Sequence, residues 1–111
     1  NGVQVSSTEV RRRVAAGEFE RGVLLCGTGA GMALAANKIA GVRAAACETE
    51  FVAEMTRRHN DINVLCLGGW LLGPRLAEAI LRRFLETEFE GGRHTRRLDK
   101  VRRLEGPRGA P

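Results

Sequence analysis

The chain of 111 residues lacks any long apolar run. No stretch approaches the roughly 20 apolar residues that a membrane-spanning helix requires. The first residues, Asn1 to Val5, carry neither the basic region nor the apolar stretch of a secretory signal. The length allows one small domain. We therefore expect a single cytoplasmic domain over residues 1–105 with no membrane contact, followed by a disordered tail at 106–111.

Cysteine and histidine are scarce. The chain has three cysteines, an odd number, and Cys47 and Cys66 close apolar runs, so we expect both thiols to lie in the core rather than in disulfides. No cysteine or histidine pair has the spacing of zinc ligands along the sequence. These absences predict neither a disulfide framework nor a metal site.

Aromatic residues make up only 5% of the chain, and its excess of positive charge is confined to one end. The net charge is +5, but the segment from Gly92 onward holds seven basic residues against Asp99 and Glu105, and the rest of the chain is balanced. No aromatic residue interleaves with this basic segment, and no nucleic-acid-binding motif is present. The charge distribution therefore does not favour a nucleic acid partner.

Short apolar runs alternate with segments of helical pattern. The predicted strands are Gly22 to Cys26, Val42 to Cys47 and Val64 to Leu67. The predicted helices are Thr8 to Ala16, Ala30 to Ile39, Thr49 to Arg58, Pro74 to about Glu86, and Arg93 to Leu104. Buried strands that alternate with helices are typical of a parallel sheet covered on both faces. We therefore expect a three-layer, doubly wound, Rossmann-like α/β fold with a C-terminal helix.

The most informative segment runs from Gly22 to Lys38. Its apolar stretch ends in Cys26, passes through alternating glycines, and enters an alanine-rich helix. Anions bind to the backbone N–H groups of a helix N-terminus, and thiol pKa values fall there. Cys26 is therefore a candidate general base, and the amides from Gly27 to Gly31 are candidate donors to an oxyanion or phosphate.

Two other phosphate motifs fit this segment less well. A P-loop is absent, and Met32 stands where the dinucleotide-binding fingerprint requires a third glycine. Glu48, however, stands where a ribose-binding acid would follow in that fingerprint. A non-catalytic module that binds a sugar phosphate or nucleotide therefore remains an alternative.

Two further polar segments are candidate sites. His59 and Asn60 end a predicted helix, and an imidazole can exchange a proton near neutral pH, although a polar helix end explains them equally well. Arg93 and Arg97 are four residues apart on a predicted helix, so both could bind one phosphate. A solvated basic face is the commoner reason for such a pair.

These segments, taken in order, closely resemble one family. They read Cys-Gly-Thr-Gly-x-Gly-Met with Ala-Ala-Asn-Lys, then His-Asn-Asp-x-Asn-Val-Leu, then Glu-Gly-Gly-Arg-His-x-x-Arg. The same motifs mark the ribose-5-phosphate isomerase B family, which includes the galactose-6-phosphate isomerase subunits. The resemblance implies cofactor-free aldose–ketose isomerisation of a sugar phosphate, with conversion of ribose 5-phosphate to ribulose 5-phosphate as the expected reaction and a hexose phosphate as the other possible substrate. It also implies a homodimer or dimer of dimers whose active sites lie between subunits.

The resemblance assigns roles to the matching residues. Cys26 resembles the base that moves a proton between C1 and C2, and Thr28 resembles a hydroxyl near the sugar oxygens. The backbone at Gly27, Gly29 and Gly31 resembles the anion hole for a cis-enediolate. The remaining roles are ring opening for His59, substrate binding for Asn60, and phosphate binding for Arg93 and Arg97.

The sequence departs from the family pattern in two places. Family members begin with a strand ending in Asp-His, followed by a helix and a second strand, which this sequence lacks, so residues 1–105 correspond to a partial domain. We expect a fragment of a longer gene product, or cover of the exposed edge beside Val23 to Cys26 by another chain or by Asn1 to Ser6. This departure puts the activity of the chain on its own in question. In addition, Trp70 stands where the family often has an arginine, and it could pack against a neighbour or cover the pocket.

Overall fold

The computed structural model describes residues 7–106. The helices within this range are α1 (Ser7–Ala15), α2 (Ala30–Ala36), α3 (Glu50–Asn60), α4 (Pro74–Glu86) and α5 (Arg93–Arg103). The strands are β1 (Gly22–Cys26), β2 (Ala44–Ala46) and β3 (Val64–Gly68). None of these helices has both the length and the apolar character needed to cross a bilayer. Residues 107–111 of the tail expected at 106–111, and the edge cover expected from Asn1 to Ser6, lie outside the described range.

The strands form one parallel sheet in the order β1-β3-β2. β3 is the central strand, and every one of its residues is buried, as the continuous apolar run predicts for a strand covered on both faces. Its register aligns Gly22 with Val64 and Cys26 with Gly68. Within the described residues the outer edge of β1 has no strand partner, and Leu25 on this strand is 65% exposed.

Two apolar clusters cover the two faces of the sheet, which confirms the predicted three layers. One cluster joins α3 and α4 to the sheet through Ala53, Ile80 and Phe84, each 0% exposed. The other joins α1 and α2 to the sheet through Val14 and Ala36. Cys47 and Cys66 belong to these clusters, so the prediction of buried thiols is also confirmed.

Local signals explain where two helices begin. The Thr49 side chain accepts a hydrogen bond from the Val52 amide at 3.1 Å, which caps α3 as its threonine predicts. Pro74 occupies the first turn of α4, where its missing N–H costs no hydrogen bond.

Two predicted elements are too long and one apolar stripe is only partly buried. α2 ends at Ala36 rather than Ile39 because the Asn37 side chain bonds both backbone groups of Ala44, at 2.8 and 3.0 Å. That contact lies at the start of β2, which has three residues rather than the predicted six. In α5, Leu98 is buried, but the other two residues of the predicted stripe, Val101 and Leu104, are 55% and 76% exposed because they face an open cavity.

Candidate functional site

The Cys26 thiol lies at the carboxyl end of β1 and is partly exposed. The Gly29 amide donates a hydrogen bond to its sulfur at 3.0 Å. Gly29 has a φ of 88°, a left-handed backbone conformation that favours glycine. This turn folds the loop back over the end of β1 and fixes the direction of the sulfur, as a residue that exchanges a proton with a ligand requires.

The backbone amides after Cys26 are not all free, contrary to the simplest form of the sequence prediction. Gly29 donates to the sulfur, and the Ala30 amide donates to the Thr28 hydroxyl at 3.3 Å. Thr28 is exposed, and beyond its own helix and chain neighbours no described residue would lie within 4 Å of a Cβ atom on Gly31. The loop amides that remain available to bind an anion are those of Gly27, Thr28 and Gly31, which donate no hydrogen bond within the described residues.

The residues that follow β3 hold the Cys26 loop through backbone hydrogen bonds. The Gly69 amide donates to the Cys26 carbonyl at 2.6 Å, and the Trp70 amide donates to the Gly27 carbonyl at 3.0 Å. The indole of Trp70 lies over Gly27, since a Cβ atom on Gly27 would stand 2.7 Å from the ring. Trp70 is otherwise 85% exposed, so it forms a projecting apolar wall beside Cys26.

The second group of predicted residues gathers around two stacked histidines. The rings of His59, near the end of α3, and His94, in the first turn of α5, lie 4.3 Å apart at an angle of 15°. Glu90 Oε1 is 4.0 Å from His59 Nε2 and 3.5 Å from His94 Nε2. The Glu90 amide donates to the Arg58 carbonyl at 3.0 Å, which ties the segment before α5 to the end of α3.

His94 is buried and His59 is partly exposed. Burial lowers the pKa of His94 below its ordinary value, and the neighbouring His59 imidazole and Arg93 guanidinium act in the same direction. The His94 imidazole is therefore neutral at neutral pH and provides an uncharged surface on which His59 stacks. His59 remains open to solvent on its other side and is the ring of this pair that a ligand can reach.

Arg93 and Arg97 lie one turn apart on α5 on either side of His94, and both are exposed. Within residues 7–106 neither guanidinium takes part in a salt bridge. Cations without an acidic partner next to an exposed imidazole favour binding of an anion such as a phosphate.

The residues after His59 are fixed by a second set of contacts. Asp61 ends α3 with a φ of 49°, and its carboxylate pairs with Arg57 at 3.0 Å and with Arg43 at 3.4 Å. Arg57 is 4% exposed, and it also donates to the Thr87 carbonyl at 2.9 Å. This network holds the end of α3, and so His59 and Asn60, against the start of the sheet.

A cavity of about 760 Å³ lies beside β2, and its walls include Asn37, Arg43, Asn60 and Leu98. Asn60 is the only predicted site residue on its walls among the described residues. The cavity therefore does not join the Cys26 loop to the histidine pair.

The Cys26 loop and the histidine pair lie at opposite ends of the strands, called here the carboxyl edge and the amino edge of the sheet. Cys26 and Gly68 end their strands at the carboxyl edge, whereas α3 ends beside Val64 and Gly22 at the amino edge. Four residue steps along a strand separate these edges by about 13 Å. One copy of the chain therefore does not bring Cys26 and His59 into one pocket.

Glu90 has no role among the sequence-based predictions, and His94 appears among them only as part of a basic segment. Glu90 precedes the first residue of α5 by three positions and His94 lies in its first turn, and Glu90 Oε1 lies 3.5 Å from His94 Nε2. No local pattern connects them to His59, because that contact depends on how α5 packs against α3.

Comparisons with known proteins agree in naming one family. Residues 4–101 match the model described as Ribose/Galactose Isomerase. Ribose-5-phosphate isomerase B of Escherichia coli (strain K12) is 42% identical over 99 residues, which are 89% of this chain and 66% of that protein. D-erythrulose-4-phosphate isomerase of Pectobacterium atrosepticum is 44% identical over 85 residues, or 77% of this chain and 56% of that protein.

A solved structure has the same fold. Ribose-5-phosphate isomerase B from Mycoplasma genitalium, with bound ribulose-5-phosphate, superposes with a TM-score of 0.86 at 40% identity, covering 91% of this chain and 67% of that one. The chain thus spans less than two thirds of the two curated relatives. The family match nevertheless extends over nearly all described elements, and the chain belongs to the ribose/galactose isomerase family.

Proposed function

We propose that the protein is an aldose–ketose isomerase of sugar phosphates that interconverts ribose 5-phosphate and ribulose 5-phosphate. The proposal depends chiefly on Cys26, whose sulfur is held by the Gly29 amide at the exposed end of β1. Relatives named for ribose 5-phosphate and for D-erythrulose 4-phosphate support the substrate class. The reaction needs no cofactor, and we place it in the cytoplasm.

The proposed reaction moves one proton between neighbouring carbons. Cys26, as thiolate, takes the proton from C2 of the open-chain aldose, and the electrons of the broken C2–H bond form the C1–C2 double bond of a cis-enediolate with negative charge on the C1 oxygen. The thiol then returns the proton to C1 while the C2 hydroxyl proton passes to the C1 oxygen, so that C2 becomes the ketone carbonyl. The backbone amides of Gly27 and Gly31, with the Thr28 hydroxyl, face the oxygens on which negative charge develops, while the Gly29 amide holds the Cys26 sulfur.

The second group of predicted residues, called here the histidine group, opens the sugar ring and binds the substrate; it consists of His59, Asn60, Arg93 and Arg97. His59 exchanges a proton with the furanose ring oxygen and opens the ring, and Asn60 binds the sugar beside it. Arg93 and Arg97 hold the phosphate, because both are exposed and lack salt bridges among the described residues.

We further propose that two copies of the chain share each active site, in a homodimer or dimer of dimers. The separation of about 13 Å between the sheet edges leaves Cys26 and His59 in different places on one copy. Apolar side chains near the carboxyl edge are available for a subunit contact, since Phe51 is 68% exposed and Leu71 is 53% exposed. In such a contact the Cys26 loop of one copy meets the histidine group of its partner.

The first experiment measures ribulose 5-phosphate formation by the purified protein without added metal or nucleotide. Cys26→Ser is expected to abolish turnover with the fold retained, whereas Cys47→Ala removes a buried thiol outside the site and is expected to retain turnover. Full turnover in Cys26→Ser eliminates Cys26 as the base. Ligand binding by calorimetry without turnover in the unmodified protein favours the alternative, a sugar-phosphate-binding module.

The second experiment tests the shared site by mixing two inactive variants, Cys26→Ser and His59→Gln. If each site takes its residues from two copies, half of the random dimers are mixed and each has one intact site, so about a quarter of the unmodified activity returns. If one copy holds both residues, mixing restores nothing, and the shared-site proposal is wrong.

A further inference from the structure

The chain contains two histidines, and the fold brings both to one place. His59 comes from α3 and His94 from α5, and Glu90 lies in the segment between α4 and α5. One potential ligand atom from each of these side chains lies within 4.8 Å of the other two. Two imidazole nitrogens and a carboxylate oxygen are a ligand set that zinc accepts in open, three-residue sites.

The distances between the ligand atoms suit a metal ion better than direct hydrogen bonds. Glu90 Oε1 lies 3.5 Å from His94 Nε2 and 4.0 Å from His59 Nε2, at or beyond the limit of a hydrogen bond. In a tetrahedral zinc site with bonds of 2.0–2.2 Å, neighbouring ligand atoms are about 3.3–3.6 Å apart. Glu90 Oε1 needs only a small rotation to share an ion with His94 Nε2, whereas the two nearly parallel imidazole rings must turn toward each other before both nitrogens reach that ion.

The surroundings leave these atoms free to bind. Arg58 pairs with Glu90 through Oε2 at 3.5 Å, so Oε1 is left toward the imidazoles. The side chains of His59 and Glu90 are 40% and 45% exposed, so solvent can supply the fourth ligand.

We propose that His59, Glu90 and His94 form a binding site for a divalent transition-metal ion of the Zn²⁺ type, and that its occupation inhibits the enzyme. The inhibition rests on the proposed function, in which His59 needs its free nitrogen to exchange a proton with the sugar ring oxygen. An ion on Nε2 takes that lone pair and places a positive charge where the ring oxygen must approach. The binding itself does not depend on any catalytic role.

The experiment is a calorimetric titration of the purified protein with Zn²⁺ alone, in a Cys26→Ser background that removes the exposed thiol as a competing ligand. One ion per chain is expected to bind. Since loss of a supporting group already lowers metal affinity 10–100-fold, loss of a ligand in Glu90→Gln is expected to weaken binding about tenfold or more. Glu88→Gln is the matched control, because Glu88 is two residues away, 87% exposed and outside the cluster.

Co²⁺ in place of Zn²⁺ adds a spectroscopic readout, since tetrahedral coordination by imidazole gives visible absorption bands. Absence of Zn²⁺ binding, or equal affinities in Glu90→Gln and Glu88→Gln, overturns the metal site. In the unmodified protein, Zn²⁺ is expected to inhibit isomerisation and a chelator to restore it. Binding that leaves isomerisation unaffected overturns the inhibitory role, whereas binding in a protein without isomerase activity contradicts the proposed function and the inhibition but not the metal site.

Discussion

Replacing Gly68 with alanine is expected to damage the Cys26 loop directly. Gly68 is the last residue of β3, and a Cβ atom there would stand 2.7 Å from the Thr28 carbonyl oxygen and 2.8 Å from its carbon. Both obstructing atoms belong to the backbone, so no side-chain rotation relieves the clash. Ordinary contact begins at 3.4 Å, so the loop has to move by about 0.7 Å.

The neighbouring glycine provides the matched control. Apart from the chain neighbours of Gly69, the Cys26 carbonyl oxygen is the only atom of residues 7–106 that would lie within 4 Å of a Cβ atom there, at an ordinary 3.6 Å. Overpacking of a well-packed position costs about 1–3 kcal/mol, so Gly68→Ala is expected to lower the free energy of unfolding by that amount. Gly69→Ala is expected to change it by no more than about 0.5 kcal/mol, as for surface substitutions.

Urea unfolding measures both free energies, and Trp70, the only tryptophan in the chain, reports on the loop. Because its indole lies over Gly27, displacement of the loop in Gly68→Ala is expected to shift the native-state fluorescence. Turnover is expected to fall in Gly68→Ala and to persist in Gly69→Ala. Equal stability and equal fluorescence in the two variants would refute the argument that β3 positions the Cys26 loop.

Further predictions concern the core and the thiols. Phe84→Ala removes a fully buried side chain and is expected to lower the free energy of unfolding in urea by about 3–5 kcal/mol. Leu85→Ala, at a 52% exposed position, is expected to lower it far less. Similar losses in the two variants would contradict the assigned packing. Burial raises the pKa of the Cys66 thiol to about 12, so iodoacetamide near neutral pH is expected to modify Cys26 and spare Cys66, as mass spectrometry of the native protein can check. The Cys66 thiol loses its proton near pH 9 in the unfolded chain but only near 12 in the folded protein, so this group lowers the free energy of unfolding as pH rises between those values. The measurement is the urea midpoint as a function of pH in the unmodified protein and in Cys66→Ala. A midpoint that rises with pH in the unmodified protein but not in the variant would contradict the predicted direction.

The local features of the fold could be predicted from the sequence because their causes are local. A continuous apolar run is compatible with a strand buried on both faces, and β3 is such a strand. Thr49 and Pro74 mark helix starts because a capping side chain and a missing N–H act within one turn. The position of Cys26 before a glycine turn likewise follows from neighbouring residues, and the Gly29 amide that holds its sulfur is three residues away.

Element boundaries required contacts between distant residues. Nothing in the run Ala30 to Ile39 indicates that its helix stops at Ala36, because the cause is the bond between the Asn37 side chain and the backbone of Ala44 on another element. The apolar stripe of α5 also depends on contacts between distant residues, and it is only partly buried because it faces an open cavity rather than another packed element.

The sequence alone determined which chemical groups the protein carries: a thiol after a strand, an imidazole at a helix end, and paired guanidinium groups on a helix face. Only the tertiary structure decided how they are grouped, because the strand order β1-β3-β2 and the direction of the parallel sheet set Cys26 and His59 at opposite edges. The packing of α5 on α3 stacked His94 on His59 with Glu90 beside them. Such neighbours are far apart along the chain, and the free energy that brings them together comes from burial of the core between them.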